Sequence, residues 1–328
     1  MTTITAESAW ARWSTKYTIH PETLTTTQRI LDLGLKPFQT LTLEEARAQS
    51  VIALRDDEPA DPFDGDITEI IIPSPQVETG IPVTVYKPCR LPADPVICVY
   101  FHGGGLVMLT RKSYDRCARS VSSRSGAIFV VVEYRLLPCE EDPLAPFNDA
   151  LAVTKWVLEN KEVVGGCKNS QVGVGGDSAG GQITCSVLND VQGVAFQVLV
   201  YPVTDLTCDL PSFEEFRDVP GFNTHGMEAM LDIFLPGIKG AASNPRVNPS
   251  ARANLESSPP ALVIHAELDA LKDWGVAYAR KLRQAGVKVT EFTVSGVPHA
   301  FFGRVADFPT TSALAHDEVA RFIKSFQS

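Results

Sequence analysis

Val172-Gly173-Val174-Gly175-Gly176-Asp177-Ser178-Ala179-Gly180-Gly181 is the stretch on which the fold turns. Its first four residues read as a strand buried on both faces, and residues 179–189 read as a helix. Ser178 therefore occupies the corner between them, inside a G-x-S-x-G motif flanked by Gly176 and Gly180. The corner is sharp, and a side chain at either glycine would meet the neighbouring strand or helix. Such a corner forces strained backbone geometry on the serine and lifts its hydroxyl clear of the sheet. The start of the helix adds a positive dipole end where negative charge would develop. G-x-S-x-G alone arises by chance. The strand before it, the helix after it and the extended glycine string make Ser178 a candidate nucleophile.

Upstream, Val96-Ile97-Cys98-Val99-Tyr100-Phe101 reads as another buried strand, ending in His102-Gly103-Gly104-Gly105. Consecutive glycines let the backbone approach a substrate and turn its N–H groups inward. The N–H groups of Gly103, Gly104 and Ala179 are the expected oxyanion donors, worth roughly 3–4 kcal/mol each in such sites. A phosphate loop would need G-x-x-x-x-G-K-[ST] or G-x-G-x-x-G, and neither spacing is present. His102 reads as a structural residue that holds the loop by hydrogen bonds.

From residue 67 onward, apolar runs alternate with helix-like stretches. The expected strands are 67–72, 81–86, 96–101, 127–134, 172–175, 195–201, 261–266 and 287–294. The expected helices between and after them are 113–124, 147–160, 179–189, 273–285 and 312–325. This alternation predicts an α/β fold: a mostly parallel eight-stranded sheet flanked by helices, its first two strands antiparallel at one edge. Residues 1–60 read as helices without strands (6–17, 21–33 and 43–54, the last capped by Thr42), and residues 205–250 carry helices near 211–217 and 224–234. The expected organisation is N-terminal cap helices in 1–60, a catalytic domain of 61–204 and 251–328, and a cap insertion in 205–250. Both helical regions are expected over the carboxyl edge of the strands, where α/β sheets bind ligands.

A serine nucleophile needs a histidine. His20 and His225 lie in the cap regions, His316 on the terminal helix and His265 inside a strand, all as surface or packing residues. His299 follows the last strand in the turn-rich loop Ser295-Gly296-Val297-Pro298-His299-Ala300-Phe301 and is the candidate base. The orienting acid is sought between serine and histidine. Asp269 is chosen; Glu267, nearer the strand end, and Asp273, expected to cap the next helix, are the alternatives. The order Ser178, Asp269, His299 is that of the α/β-hydrolases and differs from the two familiar protease orders. Leu106 and Phe222 are candidate pocket residues, and Phe234 is assigned to the core.

The bulk properties narrow the rest. The 328 residues carry 44% hydrophobic and 21% charged residues and a net charge of -10. That charge argues against nucleic acid or an anionic membrane surface as partner. No apolar run approaches the roughly 20 residues of a membrane-spanning helix. The start of the chain lacks the pattern of a signal peptide, and seven scattered cysteines show no CxxC pair. A cytoplasmic location, with thiols mostly buried, is expected, and no metal site is.

Five strings carry a family resemblance: Tyr100-Phe101-His102-Gly103-Gly104-Gly105, Glu133-Tyr134-Arg135-Leu136, Gly176-Asp177-Ser178-Ala179-Gly180-Gly181, Leu268-Asp269-Ala270-Leu271-Lys272-Asp273 and Gly296 to Phe301. Together they resemble the hormone-sensitive-lipase-like esterases, in the GDSAG subtype of that α/β-hydrolase group. The resemblance implies a cap built from both helical regions. It implies hydrolysis of short- to medium-chain acyl esters, a small-molecule ester as partner and no cofactor. Ser178 would serve as nucleophile, Asp269 as acid, His299 as base, and Gly103, Gly104 and Ala179 as oxyanion donors. Members of the family often pair through sheet edges, so a homodimer is a candidate state. The chain departs from the family's D-P-L-R-D at Asp269-Ala270-Leu271-Lys272-Asp273, from H-G-F at His299-Ala300-Phe301, and from A-P-E at Leu137-Pro138-Cys139. An amidase, deacetylase or peptidase with the same triad is the alternative. A non-catalytic receptor on this scaffold is a further one, disfavoured because such receptors lack the triad histidine.

Overall fold

The computed structural model describes residues 4–55 and 60–327. The expected boundary at residue 60 therefore abuts four residues, 56–59, outside the described residues. Eight strands form one sheet: β1 (Gly65–Ile72), β2 (Ile81–Pro88), β3 (Ile97–Phe101), β4 (Ile128–Val132), β5 (Val172–Asp177), β6 (Gln197–Val200), β7 (Ala261–Leu268) and β8 (Val289–Pro298). Their order is β1-β2-β4-β3-β5-β6-β7-β8. β1 pairs antiparallel with β2, and β2 with β4; the remaining pairs are parallel. The short β1–β2 connection cannot hold a crossover helix, so that pair must run antiparallel.

The central strands are buried along their whole length because both faces are covered. Ile97, Val99 and Phe101 of β3 face one cluster with α5 (Ala145–Glu159) and α6 (Ala179–Asp190). Cys98 and Tyr100 face a second, with α4 (Asp115–Ser125) and α10 (Pro309–Lys324). α9 (Lys272–Gln284) packs Tyr278 and Leu282 with Ala261 and Val263 of β7. The period-2 split of β3 between two cores is what its β-branched and aromatic run requires.

Two pairings position the site. The chain leaves β3 for β4, then returns to β5 on the other side of β3. This reversal opens a crevice at the strands' carboxyl ends. Phe101 pairs with Gly176, so the glycine loop and the serine corner emerge side by side. At the other end, β7 and β8 run further than expected. An irregularity between Ala266 and Leu268 lets pairing resume at Leu268 and Pro298. Asp269 and His299 are the next residues on the two strands.

The N-terminal helices are α1 (Ala6–Ser14), α2 (Pro21–Asp32) and α3 (Leu43–Leu54). Thr42 caps α3 in a reciprocal box with Glu45. The 205–250 segment carries α7 (Pro211–Glu215) and α8 (Thr224–Phe234). These two regions meet: Trp13 Nε1–H donates to the Glu215 carbonyl at 3.0 Å, the Glu215 carboxylate accepts from Tyr17 at 2.7 Å and pairs with Lys16, and the Tyr17 and Phe216 rings lie 5.8 Å apart. Both also grip the body beneath, the first at β8 and the second at α9 (Lys272–Gln284). His20 N–H and the Thr23 hydroxyl donate to the Gly296 carbonyl at 3.0 and 2.8 Å. Trp274 Nε1–H donates to the Thr207 carbonyl at 3.0 Å.

Candidate active site

Ser178 has φ +54 and ψ -119, a left-handed conformation that a side chain tolerates only when its surroundings impose it. The imposition is visible. Ser178 N–H donates to the Val200 carbonyl at the end of β6 at 2.9 Å. A Cβ on Gly176 would overlap the Gly180 carbonyl, and one on Gly180 would overlap the Phe101 carbonyl. Strand, corner and helix thus approach as backbone on backbone, and the strain at Ser178 is the consequence.

The three sequence candidates come together. His299 Nε2 lies 2.9 Å from Ser178 Oγ, and His299 Nδ1 lies 2.8 Å from Asp269 Oδ2. Asp269 is fully buried, and its other oxygen accepts from Leu271 N–H at 2.9 Å. A carboxylate whose two oxygens both accept fixes Nδ1 as the donor side of the imidazole and leaves Nε2 to accept from the serine hydroxyl. The rings of Tyr201 and Phe222 lie 4.6 and 4.9 Å from the imidazole. Ala300, where the resembled family has glycine, adopts φ +68, so this chain places a side chain in backbone that glycine favours.

The other acids take structural roles. Glu267 lies within β7 and accepts from Gly296 N–H at 2.7 Å, bracing the loop before His299. Asp273 does not cap α9; the N-cap is Leu271, and Asp273 in the first turn accepts from Ser212 N–H at 2.9 Å. The other histidines also turn away. His20 caps α2, His265 bonds Glu291 at 2.9 Å, and His225 sits half-exposed near Asp218. His316 is buried, against the Ser120 hydroxyl at 2.8 Å, and burial pushes its pKa down to about 3. His102 stacks on Tyr134 at 4.2 Å, and burial lowers its pKa to about 4, a neutral structural histidine.

Two expectations need correction. The N–H of Gly103 points into a buried cluster, donating to Asp177 Oδ1 and to the Tyr114 hydroxyl, each at 3.1 Å. It is therefore not a free oxyanion donor. The neighbours differ. The Gly104 carbonyl accepts from Val107 and Met108 N–H at 3.1 and 3.0 Å, and the Gly103 carbonyl faces His102 Nδ1 at 2.7 Å. In a trans peptide the N–H points opposite to the C=O, so the N–H groups of Gly104 and Gly105 face the other way. Leu106 is the second correction. It is fully buried in the core beneath the loop, with φ +65, and its carbonyl accepts from Leu137 N–H at 2.8 Å. It supports the loop and offers no surface to a ligand. Phe222 stands against the His299 ring, and Phe234 is core.

Sequence reasoning passed over several residues. Tyr134, within the quoted Glu133-Tyr134-Arg135-Leu136 run, donates its hydroxyl to the His102 carbonyl at 2.7 Å. Asp177 accepts from Tyr100 at 3.0 Å and from Tyr114 at 2.6 Å; burial raises its pKa to about 6, against the pull of the two hydroxyls. Met230 of α8 occupies the space where a Cβ on Gly105 would stand. Position within the GDSAG string was the one signal pointing to Asp177.

A family model described as alpha/beta hydrolase fold matches residues 98–303, from mid-β3 to just past His299. The chain belongs to the hormone-sensitive-lipase-like esterases of the α/β-hydrolase superfamily. It is a carboxylic ester hydrolase. Carboxylesterase NlhH of Mycobacterium tuberculosis is 38% identical over 218 residues, covering 64% of this chain and 68% of that protein. Ethyl acetate hydrolase of Pseudomonas putida is 31% identical over 280 residues, covering 81% of this chain and 85% of that protein. Among solved structures, a thermostable esterase from Pseudomonas putida superposes with a TM-score of 0.85 at 27% identity, covering 94% of this chain and 98% of that one. The esterase rPPE, crystallised in complex with (S)-Ac-CPA, superposes with the same TM-score at 26% identity, with the same coverage.

Proposed function

We propose that this esterase hydrolyses short- to medium-chain acyl esters through an acyl-enzyme on Ser178, with His299 as general base and acid and Asp269 as its orienting partner. The observation that carries the reading is the chain of two short contacts from Ser178 Oγ through His299 to Asp269 at the carboxyl edge of the sheet. As Ser178 Oγ bonds the acyl carbon, its proton passes to His299 Nε2. Asp269 stays ionised and stabilises the imidazolium through Nδ1–H. The carbonyl oxygen, now negative, takes N–H bonds from Gly104, Gly105 and Ala179. None of these three donates to another group among the described residues. Collapse of the tetrahedral species breaks the ester C–O bond, and Nε2–H protonates the departing alcohol. Water then repeats the sequence on the acyl-serine, giving a carboxylic acid and the free enzyme.

The N-terminal helices and the 205–250 segment act as one cap, a reading supported by their shared seam at Glu215. Phe222 and Met230 bring apolar surface from that cap to His299 and Gly105, which suits an acyl or alkyl group. Among the described residues no helix is long and apolar enough to cross a membrane. The seven cysteines are all unpaired, which suits a reducing compartment such as the cytoplasm.

Replacing Ser178 with alanine is the decisive experiment. With p-nitrophenyl acetate and butyrate, kcat should fall on the order of 10⁶-fold, and an organophosphonate that labels the parent enzyme on the Ser178 peptide should no longer react. Persisting turnover, or labelling elsewhere, overturns the assignment. A graded series of p-nitrophenyl esters beside the matching anilides tests the substrate class. Faster anilide cleavage, or a maximum at long chains, overturns it.

A further inference from the structure

The peptide linking His102 to Gly103 is held at both ends. Tyr134 donates its hydroxyl to the His102 carbonyl at 2.7 Å, while the Gly103 N–H of the same peptide plane donates to Asp177 Oδ1 at 3.1 Å. A planar peptide clamped on opposite edges cannot rotate. Asp177 is the centre of the clamp. It is 2% exposed and accepts from Tyr100 and Gly103 on one oxygen and from Tyr114 on the other. The Tyr114 hydroxyl in turn lies 3.1 Å from Gly103 N, so three donors, from β3, the glycine loop and residue 114, close on one carboxylate. A Cβ on Gly103 would stand 2.6 Å from Asp177 Oδ2 and 2.9 Å from the Tyr114 hydroxyl, which only glycine avoids. The same carboxylate belongs to the residue immediately before Ser178.

We infer that Asp177 is a positioning residue for the oxyanion loop, tying the glycine loop to the nucleophile corner so that the Gly104 and Gly105 N–H groups are set relative to Ser178. This rests on the reading that those N–H groups receive the oxyanion. A carboxylate suits the task because it is acceptor-only and takes several donors at once. An asparagine of the same shape presents one acceptor edge and one donor edge, so one of the three donors loses its partner. The loop would then keep its place but lose its fixed orientation. The deficit falls on the transition state, where the charge first appears on the oxygen, and spares substrate binding.

The test compares Asp177→Asn, Tyr114→Phe and Tyr100→Phe with the parent enzyme on p-nitrophenyl butyrate. Active sites are counted by a phosphonate burst, and a trifluoromethyl ketone serves as tetrahedral analogue. For Asp177→Asn, kcat per titrated site should fall about tenfold or more with KM within about twofold, and the affinity for the ketone should weaken in step with kcat/KM. Tyr114→Phe should show the same pattern at about threefold. Parental kcat per titrated site in the variants overturns the inference, as does a loss accounted for wholly by fewer active sites. So does weaker substrate binding at unchanged kcat. If Asp177→Asn does not fold, the two tyrosine variants carry the decision alone. The Ser178→Ala result is independent: inactivity there with parental kinetics here would reject the clamp and leave the triad standing.

Discussion

The two walls of the active site are built differently. One wall is the carboxyl edge of the sheet: Ser178, the glycine loop, Asp269 and His299. Each of these follows a strand end directly, and strand pairing fixes its neighbour, Phe101 against Gly176 and Leu268 against Pro298. The other wall is helical. Phe222 and Met230 reach the site from a segment that joins the N-terminal helices through side chains such as the exposed Lys16 and the half-buried Tyr17 and Glu215. Backbone ladders hold positions to tenths of an ångström because every hydrogen bond shares the load with its neighbours. Contacts between helix side chains define a space and tolerate change in it. Under the proposed function the sheet wall carries the chemistry, and the cap wall carries the fit.

The strongest way to break this contrast is at the corner itself. Gly180→Ala puts a methyl group against the Phe101 carbonyl with no flexible side chain to yield. The displaced corner should cost at least about 10²-fold in kcat/KM per folded molecule, measured by kinetics alongside circular dichroism. Near-parental activity would mean that the sheet wall is more compliant than its backbone contacts imply.

Acid stability sharpens the contrast next, because the strongly perturbed histidines lie outside the cap regions, His102 just after β3 and His316 on α10. His102 and His316 are buried neutral, with pKa values lowered to about 4 and about 3. Below the ordinary histidine pKa the unfolded chain binds protons that the folded one refuses, so stability falls as pH drops from about 6.5 toward 4. Asp177 works the other way. Its raised pKa of about 6 means that the folded state takes up its proton first, which offsets part of the loss below that pH. The net loss from pH 7 to pH 4.5 should be about 3 kcal/mol, read from urea unfolding at the two pH values. Equal stability at both would show those imidazoles to be solvated in the native state.

The cap wall gives the smallest effect. Phe222→Ala removes a ring from the His299 face without touching the triad bonds. Activity on p-nitrophenyl octanoate relative to acetate should rise about threefold to tenfold, with kcat on acetate nearly unchanged. A collapse of kcat instead would make the ring part of the machinery that holds the base.

Much of the fold was legible because the informative signals were local. The eight apolar runs, the capping box at Thr42 and the helices after Pro21 and Thr224 depend on a few adjacent residues, and each forms where its sequence places it. The three residues that come together at the site, Ser178, His299 and Asp269, were legible for the same reason: G-x-S-x-G, a histidine in a turn-rich loop and an aspartate after a strand are each marked by their neighbours. The far ends of β7 and β8 were not. Glu267-Leu268 and Ser295 to Pro298 have no strand-like pattern of their own and extend only because a register shift lets Leu268 meet Pro298.

The amino-acid sequence alone determined where the proposed nucleophile sits, since a glycine-bounded serine between a strand and a helix has few conformations open to it. Which glycine N–H groups are tied up by internal partners was decided only in three dimensions. Gly103, Gly104 and Gly105 are chemically identical, and the direction of each N–H depends on what holds its peptide plane. For the Gly103 N–H those holds are Asp177, Tyr114 and Tyr134, brought in by the order of the strands, and no reading of three consecutive glycines contains them.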